Sequence, residues 1–247
     1  MSQKDFLFSK IEDAINISSL TGNPAYLDFV EPSVQLKTER EIARYPECDC
    51  AFFGGSDYAE RKMMAIFPKG SEPEENEFPI DVVHIRSKHP LQHRDVLGTL
   101  ISLGIDRSRI GDINTLDTGA QVFVSSPLGE FLESHISRIA SEDADARVVS
   151  FDERIIIEPT FTDVNVIIPS LRIDAVVHAV YKLSRSEASA LVKAEKVRVN
   201  NNLVVKPGYQ VRIGDTVSVR SKGKFIVGDI SGMTKKGNTR ITLKKYS

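Results

Sequence analysis

Cysteine is almost missing from this sequence. Only Cys48 and Cys50 occur in 247 residues, and one residue separates them, too close for an ordinary structural staple. A reducing, cytoplasmic setting is therefore expected. No apolar run approaches the roughly 18 residues that a membrane span needs, so no membrane insertion is expected. The start, MSQKDFLFSKIEDAINISSL, has no basic region followed by an apolar core, and no signal peptide is expected there.

The signatures of familiar catalysts are missing too. There is no G-x-S-x-G, no H-E-x-x-H and no dinucleotide fingerprint. Cys48, Cys50, His84, His89 and His93 do not form the two close ligand pairs of a structural zinc site. His93-Arg94-Asp95 looks like a kinase catalytic loop, but no Gly-rich loop, strand lysine or D-F-G accompanies it. The stretch Gly54-Gly55-Ser56-Asp57-Tyr58-Ala59-Glu60-Arg61-Lys62 could hold an anion on its glycine amides. It lacks the spacing of a P-loop, and a tight turn is the better reading. Carboxylates are plentiful, yet nothing pairs two of them as acid and base. A non-enzymatic protein without metal or cofactor is expected.

What is present is a soluble, globular composition, 41% hydrophobic and 27% charged, with a net charge of −2. The near-neutral total hides a division. Residues 171–247 hold 16 Lys/Arg and 5 Asp/Glu, whereas residues 1–170 hold 16 Lys/Arg and 29 Asp/Glu. A basic end on an acidic body favours a nucleic-acid partner for that end.

The patterning predicts an α+β chain of several domains: a small N-terminal α/β domain over 1–76, a ferredoxin-like domain over 77–165 and a basic domain over 170–247. A helix is expected over residues 4–19, with Phe6, Ile11, Ala14, Ile15 and Leu20 inward, broken at Thr21-Gly22-Asn23-Pro24. Tyr26 to Pro32 should lead into a second helix reaching about Arg44, and Pro46 should stop it. Strands Cys50–Phe53 and Arg61–Phe67 should pair. The Gly/Ser/Pro/Glu-rich stretch 69–77 is a candidate boundary.

Beyond it, strand Ile80–Ile85, helix Leu91–Leu103, strands Arg109–Thr115 and Ala120–Val124, helix Leu128–Ile139 and strand Arg147–Phe151 give βαββαβ. That is the ferredoxin-like order, which RNA-recognition (RRM-like) domains also use. Phe123 is nearly alone as a base-stacking aromatic, and residues 78–155 carry 8 Lys/Arg against 12 Asp/Glu. RNA contact and protein packing both stay open for this sheet. Residues 155–168 read as an apolar, strand-rich connector.

In the basic domain, Ile173, Val176, Val177 and Val180 form one helical stripe. Ser184 and Glu187 form an S-x-x-E capping box that starts a second helix with Ala188, Leu191 and Val192 inward. From Lys196 the period becomes two, with Val197 and Val199 inward and Lys196, Arg198 and Asn200 outward. A strand pair is expected over Val211–Arg220 and a hairpin over Phe225–Ile230 and Arg240–Lys244. Arg172, Arg185, Lys193, Lys196 and Arg198 are candidate phosphate contacts; Ser184, Ser186 and Asn200 could donate or accept neutral hydrogen bonds. Ser184 could equally be spent as an N-cap.

L-R-I-D, S-R-S-E-A, K-V-R-V-N-N and G-D-T-V, in that order, resemble the RNA-binding domain named after ribosomal protein S-four. With F-F-G-G-S-D-Y-A-E-R-K, H-R-D-V-L-G, L-G-I-D-R-S-R-I-G-D-I and T-K-K-G, nearly the whole chain resembles the bacterial YlmH family. The resemblance implies binding of structured RNA (rRNA, tRNA or both), the large ribosomal subunit as partner, a role in rescue of stalled translation, and a link to cell-division proteins. It also implies RNA contact near the basic hairpin tip, Lys235 and Lys236, although Asn238 stands where similar proteins carry a basic residue. Two rival classes remain: an RNA-modifying enzyme of pseudouridine-synthase type, whose catalytic loop L-R-I-D superficially resembles, and a division-machinery adaptor.

Overall fold

The computed structural model describes residues 3–235 and 237–246, with side chains described from Phe8 onward. The chain divides into two compact units, Met1–Ile157 and Glu158–Ser247.

The first unit opens with α1 (Gln3–Thr21), which Gly22 ends at a φ of 70°. β1 (Ala25–Val30), α2 (Pro32–Ile42), β2 (Cys48–Phe53) and β3 (Lys62–Pro68) follow. Pro32 occupies the first turn of α2, where its missing N–H costs nothing. The strands form an antiparallel sheet in the order β1-β3-β2. β3 is an unbroken apolar run because both its faces are covered. Met64 and Ile66 meet Ile11, Ala14 and Ile15 of α1, while Met63, Ala65 and Phe67 meet Phe29, Phe53, Phe78 and Phe123.

Tyr26 to Val30 leads into α2 as expected, with the helix ending at Ile42 short of Arg44, and the segment is itself a strand held by pairing to the distant β3. One expectation fails in this region. Leu20 is 87% exposed; buried Ser18 takes the inward place in that turn. The Phe6 side chain lies outside the described residues.

The same unit continues with β4 (Ile80–Ser87), α3 (His93–Ser102), β5 (Ile110–Leu116), β6 (Gly119–Ser125), α4 (Leu128–His135), β7 (Arg138–Ile139) and β8 (Glu142–Val149). The antiparallel order β5-β6-β4-β8-β7 is the ferredoxin-like arrangement with one short strand added at an edge. α4 is shorter than expected. Ile136 turns extended, and Arg138 and Ile139 leave to pair with Asp143 and Glu142. β8 accordingly begins at Glu142, ahead of the expected Arg147.

One face of this sheet, with Val83, Ile85, Val122 and Val124, packs on Val96 and Leu100 of α3 and Leu132 of α4. The other face, with Ile80, Val82 and Phe123, packs on the first sheet. The loop at 69–77 therefore joins two sheets that share a core. Phe78 stands 5.3 Å from Tyr26 and 5.6 Å from Phe53 between ring centroids. Such pairs add about 0.5–1.5 kcal/mol each beyond the area they bury.

Glycine sets how closely these layers approach. A Cβ on Gly55 would lie 2.2 Å from the Phe123 ring, and one on Gly111 would lie 2.7 Å from the Phe29 ring. Around them runs a polar clasp. Arg61 donates from Nε to the Ile110 carbonyl at 2.8 Å and from Nη2 to the Phe29 and Arg107 carbonyls at 3.1 Å. The Asp112 carboxylate accepts the Glu60 and Arg61 amides at 2.7 and 3.0 Å. Burial pushes the Asp112 pKa up and that of Arg61 down. The stretch from Gly54 to Lys62 is thus a turn built for contact.

The second unit contains β9 (Phe161–Ile168), α5 (Ile173–Tyr181), α6 (Arg185–Lys193), β10 (Val197–Val199), β11 (Asn202–Leu203), β12 (Thr216–Val219), β13 (Gly223–Met233) and β14 (Thr239–Tyr246). Its sheet has the order β11-β10-β12-β13-β14-β9. The helices share a core with Val197, Val199, Val217, Val219, Phe225, Val227, Ile241 and Leu243. The strand-rich connector expected over 155–168 does hold a strand, from Phe161, and that strand belongs to this sheet, paired with β14 from Phe161↔Tyr246 to Ile168↔Thr239. The expected strand pair over Val211–Arg220 is a single strand, β12. Arg212 to Asp215 is a turn, closed by the Arg212 amide on the Asp215 carboxylate at 2.8 Å.

Gly55→Ala should cost about 2–4 kcal/mol, from a positive φ and overpacking on Phe123. Gly70 also has a positive φ, but a Cβ there meets nothing within 4 Å. Urea unfolding should show Gly70→Ala clearly milder. Equal losses would mean that the approach to Phe123 is not what Gly55 secures.

Candidate nucleic-acid interface

The α5–α6 pair is shaped by its connection. Lys182 caps α5 in the left-handed region at a φ of 51°, and a His178 ring nitrogen bonds the Leu183 carbonyl. α6 begins at Ser184, whose Oγ accepts the Glu187 amide at 3.2 Å while the Glu187 carboxylate accepts the Ser184 amide at 2.7 Å. This is the capping box read from the sequence. Bonding to Ser184 holds the Glu187 carboxyl below its usual range. Ser184 Oγ also lies 3.0 Å from Ser186 Oγ.

Arg172 precedes α5 and grips Asp174 with two bonds, Nε to Oδ1 at 3.0 Å and Nη2 to Oδ2 at 2.7 Å. That pairing lowers the Asp174 pKa, and the charge of Arg185 lowers it further. Arg172, Ser184, Arg185 and Ser186 are therefore gathered around the start of α6, all of them exposed. Lys193 is exposed in the last turn of α6. Lys196 borders a hollow of about 330 Å³ along α6, lined also by Leu183, Glu187, Ala190, Leu191, Ala194 and Lys222.

The other candidates sit elsewhere. Arg198 is on β10 facing away from the helices, and its Nη1 donates to the Asn201 carbonyl at 3.0 Å. Asn200, at a φ of 47°, is occupied at both ends of its amide. Nδ2 donates to Asp215 Oδ1 at 2.8 Å, and Oδ1 accepts the Thr216 amide at 2.9 Å. Asn200 thus ties the β10–β11 turn to the Arg212–Asp215 turn. Lys235 is exposed at the β13–β14 tip, which the Thr234 amide closes on the Asn238 carbonyl at 2.8 Å. Lys236 lies outside the described residues.

Lys222 was not anticipated. It reaches α6 because the β12–β13 turn folds beside Lys196, where the Arg220 amide donates to the Lys196 carbonyl at 2.8 Å. The run Arg220-Ser221-Lys222-Gly223-Lys224 was the available signal.

The ferredoxin-like sheet does not offer the open face an RNA-recognition sheet uses. Phe123 is 2% exposed and Val82 is 1% exposed beneath the first sheet. Farther along that face, Gln121 is held by His84 at 3.0 Å and by both backbone groups of Ile155.

Comparison with known proteins agrees with this layout. Residues 73–153 match the family described as "Putative RNA-binding domain in YlmH", and residues 171–217 match the family described as "S4 domain". The chain is 30% identical over 224 residues to the "Ribosome-associated protein quality control protein P2" of Bacillus subtilis (strain 168), covering 88% of this chain and 86% of the relative. Among solved structures, "Cell division protein ylmH from Streptococcus pneumoniae" superposes with a TM-score of 0.55 at 19% identity. It covers 63% of this chain and 97% of that one, a likeness of fold.

Ser184→Ala should cost about 1 kcal/mol through the lost cap. Asn200→Ala, which abandons Asp215 and the Thr216 amide, should cost about 1–3 kcal/mol. Thermal melting ranks the two. An Asn200→Ala protein that melts like the parent but binds RNA less well would make Asn200 a contact and not a brace.

Proposed function

The chain belongs to the YlmH family, and on that premise we propose that it is a non-enzymatic factor that binds structured RNA on the ribosome through the α5–α6 face of its second unit. Its RNA would be ribosomal RNA, tRNA or both, on the large subunit, and its role the quality control of stalled translation in the cytoplasm. The observation that carries this reading is the cationic rim of α6. Lys193 and Lys196 make no side-chain hydrogen bond or ion pair among the described residues, and Arg185 and Lys222 stand near the same helix. Exposed cations without internal partners, as Lys193 and Lys196 are, suit a phosphate backbone, which supplies most of the affinity in such complexes. The name of the Bacillus relative supports the ribosomal setting. The name of the pneumococcal protein supports a connection with division proteins, for which the acidic residues 1–170 are the better surface.

Arg185→Ala with Lys196→Ala should weaken binding of the full chain to ribosomal RNA or tRNA with little change in melting temperature. The slope of log affinity against log salt should flatten by up to about two phosphate contacts. Co-sedimentation with large subunits should fall in parallel. An unchanged affinity and salt slope would remove this face from the interface.

A further inference from the structure

The sheet of the second unit has a face turned away from α5 and α6, and the strand register specifies what lies on it. Alternation sends Val197, Val199, Val217, Val219, Phe225, Val227, Ile241 and Leu243 to the helices. The residues between them point the other way. Arg198 pairs with Ser218 and Ser218 with Lys224. The Phe225↔Lys245 pair sets Lys224 beside Tyr246, which pairs with Phe161. The next row is Thr216, Ile226, Lys244 and Asp163. Beyond it Thr242 bonds Asn165 at 2.7 Å, and Arg240 pairs with Ile167.

This face therefore carries Arg198, Lys224, Lys244 and Arg240, hydroxyls from Ser218, Thr216 and Thr242, and one carboxylate, Asp163, among its described rows. At one end Phe161 and Tyr246 meet edge to face with centroids 4.8 Å apart, and Phe161 stays 41% exposed. The row from Arg198 to Phe161 crosses four strand spacings, roughly 19 Å. Aromatic rings beside cations on an open sheet are the combination that stacks bases and tracks phosphates. Only unpaired bases can reach such rings, because a duplex keeps its base faces covered. The α6 rim is different: its hollow has cations and aliphatic side chains but no aromatic lining.

We propose that the helix-free face of the second unit is a second binding surface, for single-stranded RNA, with Phe161 and Tyr246 as its stacking platform. It rests on the RNA-binding reading of this unit but uses different residues. A structured RNA held at α6 could thereby have an adjoining unpaired segment held across the sheet.

The test compares two fluorescent probes on the full chain, a short oligouridylate and an RNA hairpin. Phe161→Leu with Tyr246→Leu keeps apolar bulk and removes the rings. It should weaken oligouridylate binding about tenfold or more and leave the hairpin unchanged, since each base–aromatic stack is worth about fivefold or more. Arg185→Ala with Lys196→Ala should show the reverse pattern. Should the leucine pair lower the melting temperature, Arg240→Gln with Lys244→Gln leaves the rings in place and should flatten the oligouridylate salt slope by about 1.4. Parental binding of oligouridylate by both double variants, or equal losses on the two probes, would overturn the proposal. A parent protein that binds the hairpin alone would also overturn it, whereas binding of neither probe would instead defeat the RNA reading of α6.

Discussion

Phe123 sits where two sheets meet, and it fits because Gly55 and Gly111 leave room around it and its neighbour Phe29. Burying a phenylalanine contributes about 1.5–3 kcal/mol, against the roughly 0.5–1 kcal/mol of chain entropy that each glycine costs. The margin favours closure. Closure covers the part of the ferredoxin-like face that holds Phe123 and Val82, so neither side chain is open to a ligand. The first unit presents the acidic share of the charge, and the second presents the basic share.

The clasp of Arg61 and Asp112 does a different job from the aromatic layer. Buried ions are poor sources of net stability, because desolvation offsets most of the attraction. Here each ion is matched to backbone groups whose positions depend on both sheets being in register: Phe29 from one, Ile110 and Arg107 from the other. A slip of either sheet would strand a guanidinium and a carboxylate without partners. The pair penalises wrong docking more than it rewards the right one.

The legible parts of the sequence were those settled locally. The α5 stripe, the Ser184–Glu187 box and the alternation at Val197–Val199 involve neighbours within a turn or two, and they stand as read. β1 was not legible as a strand, and β9, though read as strand-rich, was not legible as part of a sheet, since their pairing with β3 and β14 comes from far along the chain. The end of α4 was misread because Ile136 and Ile139 continue an apolar pattern although the backbone has already left the helix. At the candidate site, residue types pointed to the cations, but Asn200 looked available only because its partner Asp215 lies across a turn. The motifs that carried the family resemblance in the first half, around Gly55, Arg61, Gly111 and Asp112, are scaffold. Their chemistry is close approach and register.

The capping box also bears on which groups of α6 are left to meet a ligand. A helix start has four amides without intrahelical acceptors. The box takes the Ser184 and Glu187 amides, at the N-cap and third positions. Those of Arg185 and Ser186, at the first and second positions, have no protein acceptor among the described residues. A phosphate placed there would meet two N–H donors and the positive end of the helix dipole, with the Arg185 guanidinium close by. The Glu187 carboxylate opposes an anion at the same place, but it is held by the Ser184 amide and faces Lys222. The local balance thus depends on Lys222, a residue the helix itself does not supply. The fold of the second unit brings the helix start and the β12–β13 turn together, with Lys222 beside Glu187.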